Sequence, residues 1–556
     1  MNPDPRRWPG LAVLLLAAFM DFVDVSIVLI AAPVIQADLG ATYAGIQWML
    51  AGYALAFGLL LITGGRLGDL VGRKRVFLIG VAAFTVASAW CGLAGSIGVL
   101  VAARVVQGAA AGMMVPQVLA TIQVSFPRQE RPKAYGLYGA VAGLAFSAAP
   151  VISGLLLQLD LFGLSWRPVF LVNVPVGLAA FVGAALLVRE SRADVPPATD
   201  LAGIALSSAG ILLLLYPLIQ GNDLDWPLWA FAMMAAALPV LALFARYEAR
   251  RERQGGLPLV PMSLFHQRSF SAGLLCALVV YSAVASFFFV LVIQLQAGHG
   301  LSPLQAGLIT VAWPVGIGIT SNLAVRLAGR LGRRLVSVGA LLVIACMLLL
   351  VATIQGGEGD LDAWQVMAAL LLGGLGMGMI APILVDIVMS AAPPRDAGAA
   401  SGVTNTVSQI GAAVGLAVVG ALFIAFLHGQ AAPAVDGVTP QLRADLATAG
   451  VPAAAQDELV AAFRRCALDR AEQQNPPSCQ PQPAAQAADG ASFTTAPAVR
   501  DALVRAGEAA RREVFDRAAA RTLWYAVGAF ALAFLLSFAL PPRVRRDEPQ
   551  PAAVSA

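Results

Sequence analysis

Long apolar runs recur along the whole chain, and short loops that hold most of the charged residues separate them. A helix needs about 20 mainly apolar residues to cross the hydrocarbon core of a bilayer. Fourteen segments meet this condition, and they predict an all-α integral membrane protein with fourteen transmembrane helices. The predicted spans are residues 11–35, 44–64, 76–96, 98–122, 135–159, 168–188, 201–220, 227–245, 270–296, 303–325, 335–354, 363–392, 398–427 and 523–541.

The basic residues indicate how these spans are oriented. If the N-terminus is cytoplasmic, nearly all Lys and Arg residues of the short loops fall on the cytoplasmic side, and Arg167 is the exception. Cytoplasmic loops of membrane proteins carry such an excess. A missed or extra span would place the basic residues of all later loops on the outer side, so the asymmetry supports the count of fourteen. Because fourteen is even, we expect both termini in the cytoplasm.

Composition argues against several other classes of protein. The 556 residues are 59% hydrophobic and 12% charged, whereas soluble domains average about 25% charged residues. The net charge of +4 is spread over short loops and does not form one basic face, so no nucleic-acid partner is predicted. The sequence has no Cys/His metal spacing, nucleotide-binding loop or nucleophile motif, so we expect no metal, no cofactor and no enzymatic activity.

Four charged residues lie inside predicted spans, where charge is costly and often functional. Asp24 lies near the middle of the first span, and Asp21 lies one helical turn before it on nearly the same face. Such an acid can take up a proton or bind an organic cation. If it cannot bind both at once, proton movement and cation transport are coupled. Arg104 and Asp386, in the fourth and twelfth spans, are further candidates.

Each of these residues also has a structural alternative. Asp24 and Asp21 could bond neighbouring helices, and Asp21 could also face water. Arg104 could bond backbone carbonyls. Asp386 could lie nearer the cytoplasmic end of its span as an ordinary charge.

The loop between the second and third spans has a distinctive sequence. Residues 65–75 read Gly-Arg-Leu-Gly-Asp-Leu-Val-Gly-Arg-Lys-Arg. The loop resembles the signature G-x-L-x-D-x-x-G-R-[KR]-x, which lies between helices 2 and 3 of the major facilitator superfamily. The alternative is a positively charged loop with one chance acid. The matching residues are Gly65, Leu67, Asp69, Gly72, Arg73 and Lys74.

Further motifs point to one branch of that superfamily. Residues 24–28 read Asp-Val-Ser-Ile-Val, and Pro33 follows nine residues after the acid. They resemble the motif that begins D-x-[TS]-[IV]-V and ends in proline in the fourteen-helix drug:proton antiporters, the EmrB/QacA-like transporters. Residues 104–108 resemble R-x-x-Q-G, and residues 166–177 resemble W-R-W-I-F-x-I-N-V-P-I-G of the same branch.

The fifth span departs from the pattern of the branch. The antiporter signature there is G-x-x-x-G-P-x-x-G-G, and residues 145–154 keep only Pro150 and Gly154 of it. Small residues replace the missing glycines, so close helix packing and a proline bend are still expected.

The resemblance implies two six-helix bundles around a midplane cavity, with two helices inserted between them and transport by alternating access. It implies that Asp69 meets a helix N-terminus of its own half, where the helix dipole favours an acid. With Arg73, Asp69 would hold the cytoplasmic ends shut, and the arginine matching Arg104 is implicated in proton transfer. The expected boundaries are 1–190 for the first bundle, 191–268 for the inserted helices and linker, 269–427 for the first five helices of the second bundle, 428–522 for an outer helical loop, and 523–556 for the last helix and tail.

The segment 428–522 is much longer than a connection between two spans requires. It would cap the outer mouth or dock a periplasmic partner protein. Cys466 and Cys479 could form a disulfide in an oxidising periplasm, or remain two unpaired thiols. Two helix-like stretches predict a partly disordered helical hairpin, and they lie near 440–471 and 497–521 with a break at Asn475-Pro476-Pro477.

The predicted function is proton-driven export of lipophilic compounds through a bacterial inner membrane, and these compounds are expected to be cationic. Small lipophilic molecules, protons and the lipid bilayer are the expected partners. One alternative is a dedicated exporter of a single endogenous metabolite, such as a siderophore or an antibiotic. Another is a non-transporting receptor or scaffold, against which the charges inside the spans argue.

Overall fold

A computed structural model describes residues 5–541, except residues 42, 193–199, 222–223, 225, 257, 357–361 and 473–496. The regular structure of these described residues is helical, without strands. Thirteen of their segments are long and apolar enough to cross a membrane. They correspond to every predicted span except 135–159, and that span is the 29-residue helix Arg131–Leu159. The predicted all-α membrane fold is confirmed.

The first half of the molecule contains the first six predicted spans. Its helix α4 packs against α2 and α3, and α1 packs against α5 and α7. The sixth span is divided at Val172 into a short helix that begins at Pro168 and a longer one. The helices are α1 (Arg7–Leu39), α2 (Tyr43–Val71), α3 (Arg73–Gly92), α4 (Ile97–Ser125), α5 (Arg131–Leu159), α6 (Pro168–Leu171) and α7 (Asn173–Leu187).

Two inserted helices follow, α8 (Leu201–Gln220) and α9 (Leu228–Arg253). They pack against each other, and α8 also packs against α2. The Asp200 carboxylate caps α8 by accepting a hydrogen bond from the Gly203 N–H at 2.8 Å, which satisfies one of the free N–H groups at the helix start.

The second half contains the remaining spans. Its helix α15 packs against α13 and α14, and α16 packs against α11 and α18. The tenth predicted span is divided at Val311. The helices are α10 (Ser263–His266), α11 (Arg268–Ile293), α12 (Pro303–Thr310), α13 (Ala312–Leu331), α14 (Arg333–Gly356), α15 (Ala363–Ser390), α16 (Ala397–Thr448), α17 (Ala453–Glu472) and α18 (Pro497–Ser537).

The two halves meet where α2 packs against α16 and α5 packs against α13 and α15. We call the end of the molecule that holds residues 65–75 the Asp69 end, and α17 lies at the opposite end. Near the Asp69 end, the Ser401 hydroxyl donates to the Pro116 carbonyl and the Gln123 amide donates to the Met389 carbonyl, both at 2.7 Å. These contacts join the halves at this end.

Helices α16 and α18 are longer than a bilayer crossing requires. Their 52 and 41 residues extend about 78 Å and about 60 Å at 1.5 Å per residue, whereas the hydrocarbon core is about 30 Å thick. Both helices therefore continue without a break from the membrane into the segment 428–522. There they and α17 surround a small apolar cluster of their own that includes Leu442, Leu446, Val460 and Val499.

The helix predicted near 440–471 is divided in the structure. Its first residues belong to α16, and α17 begins after Gly450, whose positive φ of 78° ends the longer helix. The predicted break at Asn475-Pro476-Pro477 lies outside the described residues, as does Cys479. The disulfide between Cys466 and Cys479 therefore stays a prediction.

Candidate functional site

A buried ion pair joins the first and fourth helices of the first half. Asp24 lies next to the midpoint of α1, and Arg104 lies two turns into α4. Arg104 Nη1 is 2.5 Å from Asp24 Oδ2, and the two side chains are 1% and 0% exposed. Charges this deeply buried are rarely tolerated without a partner. Each of these two residues supplies the opposite charge that the other requires.

Neutral polar side chains complete the network around Asp24. Gln107 lies three residues after Arg104, hence on the same face of α4, and its amide donates to Asp24 Oδ1 at 2.9 Å. The Asn173 amide, at the start of α7, donates to the same oxygen at 2.7 Å. The Ser88 hydroxyl of α3 accepts from Gln107 at 2.6 Å and from Asn173 at 3.2 Å. Side chains of α3, α4 and α7 thus surround the carboxylate carried by α1.

Asp21 is linked to this network through a tyrosine. It is 2% exposed, and its Oδ1 accepts a hydrogen bond from the Tyr53 hydroxyl of α2. The Arg104 guanidinium carbon lies 4.2 Å from the centre of the Tyr53 ring, a cation–π contact. The structure therefore brings together Asp21, Asp24 and Arg104, three of the four charged residues predicted within spans.

The second cluster of charges lies at the Asp69 end. Asp69 is fully buried, and Arg73 Nη2 donates to its Oδ1 at 2.5 Å. The same carboxylate accepts backbone hydrogen bonds from Gly398 at 3.1 Å and Ala399 at 3.2 Å. These two N–H groups begin α16, so an acid binds the positive end of a helix dipole.

The expected partner of Asp69 was wrong in one respect. The helix N-terminus that it meets belongs to the second half, since α16 begins at Ala397, and not to its own half. The reason is the close approach of α2 and α16 at two glycines. A Cβ added to Gly65 would lie 2.2 Å from the Gly398 carbonyl oxygen, so only glycine permits this distance. The Asp69 contact consequently joins the two halves directly.

The rest of the signature loop fixes the start of α3. Gly72 has a φ of 117°, which favours glycine, and a Cβ there would lie 2.5 Å from the Glu190 carboxylate. Glu190 accepts from the backbone N–H of Lys74 at 3.1 Å. Lys74 Nζ donates to the Ala185 carbonyl at 2.6 Å, which ties α3 to α7.

This combination of two helical halves, an intramembrane ion pair and a glycine-rich acidic loop has relatives. A family model described as Major Facilitator Superfamily matches residues 14–416. The chain belongs to the major facilitator superfamily. It is therefore a multi-pass membrane transporter and not an enzyme.

Individual superfamily members are similar over most of the chain. It is 40% identical over 551 residues to "Probable actinorhodin transporter" of Streptomyces coelicolor, covering 98% of this chain and 94% of that one. It is 36% identical over 429 residues to "Tetracenomycin C resistance and export protein" of Streptomyces glaucescens, covering 75% and 76%. It is 34% identical over 420 residues to "Puromycin resistance protein pur8" of Streptomyces alboniger, covering 75% and 82%.

A solved structure supports the same fold. The human organic anion transporter MFSD10 (TETRAN) aligns with a TM-score of 0.54 at 15% sequence identity, over 76% of this chain and 94% of that chain. The family model confirms the sequence-based assignment to the superfamily.

Asp386 lies apart from the Asp24 network of this superfamily member. It is 4% exposed and lies four residues before the end of α15, about 6 Å along the helix axis. The Ser390 hydroxyl donates to its backbone carbonyl at 2.5 Å. Arg131 and Tyr135 of α5 are close enough to interact with it electrostatically across the two halves. A role in coupling remains a prediction for this residue.

The weakened signature of the fifth span lies on the helix that faces the second half. Pro150 and Gly154 are both within α5, and the helix continues past them. On the same helix, a Cβ added to Gly143 would lie 3.2 Å from Ile317 and 3.4 Å from Pro314 of α13. Small residues therefore bring the two halves together here, and a functional role of Pro150 and Gly154 stays a prediction.

Sequence reasoning missed the neutral members of the network: Ser88, Gln107, Asn173 and Tyr53. Gln107 and Asn173 lie within motifs that resemble those of the antiporter branch, but they carry no charge to distinguish them from other polar residues. A polar side chain in an apolar span was the available signal. Their convergence on one carboxylate depends on the packing of separate helices, which the sequence does not give.

Proposed function

We propose that this superfamily member is an antiporter that exports lipophilic small molecules in exchange for protons by alternating access. The observation that carries the proposal is the buried network in which Arg104, Gln107 and Asn173 all contact the Asp24 carboxylate. An ionisable pair at the middle of a transmembrane helix is costly, and such residues mark proton and ion pathways.

Protonation of Asp24 would change the energy of this network substantially. A protonated carboxyl group no longer balances the charge of Arg104, and breaking a buried ion pair costs about 3–5 kcal/mol. Reversing a two-state equilibrium from 1:99 to 99:1 requires about 5.5 kcal/mol. Proton transfer at this one pair therefore supplies much of the energy that a change between two conformations requires.

The contacts at the Asp69 end are the proposed gate. Asp69 joins the halves through the N-terminus of α16, so this end must separate for substrate to enter or leave there. Asp21 lies one helical turn before Asp24 and accepts a hydrogen bond from Tyr53, which contacts Arg104. Both are therefore proposed to share protons or substrate with the ion pair. The distribution of basic residues favours a cytoplasmic Asp69 end, cytoplasmic termini and a bacterial inner membrane as the location.

Antibiotic-like compounds are the proposed substrates. The relatives at 40%, 36% and 34% identity are named for transport of actinorhodin, for resistance to and export of tetracenomycin C, and for resistance to puromycin. A dedicated exporter of one metabolite is the second candidate, because the relative that aligns over 98% of this chain is named for a single compound. A periplasmic partner at the α17 end is a further proposal that rests on the length of the segment 428–522.

Growth assays in an efflux-deficient bacterial host test the proposal. Expression of the protein should raise the inhibitory concentrations of several lipophilic compounds and lower their accumulation, and a protonophore should abolish both effects. Protection against a single compound would favour the dedicated exporter. Unchanged accumulation of every compound, with the protein present in the membrane, would contradict export.

A further inference from the structure

The linker between the inserted helices and the second half is buried at the Asp69 end. After α9, residues 258–264 run into the short helix α10. Leu259, Val260 and Leu264 are 2%, 1% and 2% exposed. They pack in one apolar cluster with residues of both halves, including Ile122 of α4 and Met389 of α15. A connecting loop usually lies on the surface, so this burial requires an explanation.

One arginine binds this linker and both halves at once. The Arg66 side chain is 6% exposed, and its Nη2 donates to the Pro258 carbonyl at 2.7 Å. Its Nη1 is 3.7 Å from Asp69 Oδ2 in the first half and 3.5 Å from Asp396 Oδ1 in the second half. These three partners belong to three different parts of the chain.

The inserted helices hold the linker from the other side. Glu248, near the end of α9, is fully buried, and its Oε2 accepts a hydrogen bond from the Val260 N–H at 3.4 Å. A Cβ on Gly203 of α8 would lie 2.2 Å from Glu248 Oε1, so α8 also approaches this carboxylate closely. The linker therefore lies between two groups of residues. The start of α8 and the end of α9 are on one side, and the Asp69 contact is on the other.

We propose that residues 258–264 are a moving part of the gate and that Arg66 is the positioning residue that ties them to Asp69. The proposal rests on the alternating access proposed above. When the Asp69 end opens, Asp69 and Asp396 move apart with their halves. Arg66 then cannot contact both carboxylates and the Pro258 carbonyl at the same time. Release of Pro258 exposes the linker, and the inserted helices thereby take part in gating.

Thiol accessibility reports the position of the linker directly. Val260→Cys in the full-length protein, reconstituted in proteoliposomes, is treated with N-ethylmaleimide at rest and during transport. We expect slow labelling at rest and faster labelling during transport. Gln254→Cys, at an exposed position just before the linker, should react quickly in both conditions. Leu259→Cys serves as a second reporter if Val260→Cys does not reach the membrane.

The protein contains internal controls for this experiment. Cys91, Cys276 and Cys346 are free, buried thiols within the helical halves. Their labelling should stay low throughout, which separates exposure of the linker from general unfolding.

Arg66→Gln tests the positioning residue against a matched control. The substitution should raise resting labelling of Val260→Cys about tenfold, because a hydrogen bond to a charged group is worth at least one decade in an equilibrium constant. It should lower the maximal transport rate more than it changes KM. Arg75→Gln removes the same charge from the same loop at a side chain that is 68% exposed, and labelling should not change.

The outcomes separate this inference from the proposed function. If wild-type protein transports substrate while Val260→Cys and Leu259→Cys stay protected in every condition, the linker does not move with the gate and the inference is wrong. Equal labelling in Arg66→Gln and Arg75→Gln would contradict the role of Arg66. If wild-type protein moves no substrate, the proposed function itself fails.

Discussion

At the scale of single residues, the Asp24 carboxylate is the centre of the candidate site. It accepts hydrogen bonds from Arg104, Gln107 and Asn173, so its position is fixed by three other side chains. The sequence indicated Asp24 and Arg104 because a charge within an apolar span is conspicuous. It did not indicate that they pair, because they are 80 residues apart and meet only when α1 and α4 pack in the bundle.

Arg104→Lys should lower the rate of proton-driven transport about tenfold or more. The guanidinium group contacts Asp24 and Gln107 and lies over the ring of Tyr53, whereas a lysine ammonium is a point charge without this planar geometry. Losing one charge-assisted hydrogen bond costs roughly 1.5–3 kcal/mol. Initial rates of substrate uptake into inverted membrane vesicles measure the effect.

The matched control for Arg104→Lys is Arg167→Lys. Arg167 pairs with Asp38 at 3.1 Å, but its side chain is 27% exposed. Asp38 lies about 21 Å from Asp24 along the axis of α1. Transport by the control should equal that of the wild type. Equal rates for both variants would mean that the geometry of the Arg104 network does not matter for transport.

At the scale of helices, the sequence predicted which segments are spans better than where they end. The apolar runs are long, so thirteen of the predicted spans reappear as helical segments long and apolar enough to cross a membrane, two of them divided at Val172 and Val311. The other span is the 29-residue α5. The continuation of α16 and α18 beyond the membrane was not predicted, because polar, alanine-rich residues follow the apolar run of α16 and precede that of α18. Pro433 and Pro440 also lie within α16 without ending it, against their usual effect.

The crossing of α2 and α16 is a prediction at this scale. The loop motif singled out Gly65, but its partner Gly398 lies in the other half, so the contact could not be read from the loop alone. Gly65→Ala should prevent the Asp69 end from closing, because its Cβ would lie 2.2 Å from the Gly398 oxygen. We expect slower turnover and a destabilisation of about 1–3 kcal/mol from overpacking.

Transport rates and thermal unfolding in detergent measure this effect. Gly318→Ala is the control, since α13 has open space where that Cβ would be placed. It should keep the wild-type rate and stability. If Gly65→Ala behaved like Gly318→Ala, the close glycine contact would not be part of the gate.

At the scale of the whole molecule, two clusters of charge lie in different parts of the fold, and we propose that both act in transport. The Asp24 network is within the first half, and the Asp69 contact joins the halves at one end. Asp386 approaches the interface from the second half, beside α5. The superfamily resemblance predicted this general arrangement, but it placed the partner of Asp69 in the wrong half, because only the assembled molecule shows which helix begins beside the loop.

The central claim is that substrate export is coupled to protons through Asp24. Proteoliposomes with an internal pH-sensitive dye and an imposed substrate gradient test it most directly. We expect the wild-type protein and Asp38→Asn, a control at a partly exposed acid, to move protons opposite to substrate. Asp24→Asn should insert and give no substrate-driven proton movement. Wild-type proton movement in Asp24→Asn, or substrate transport by the wild type without proton movement, would contradict the account.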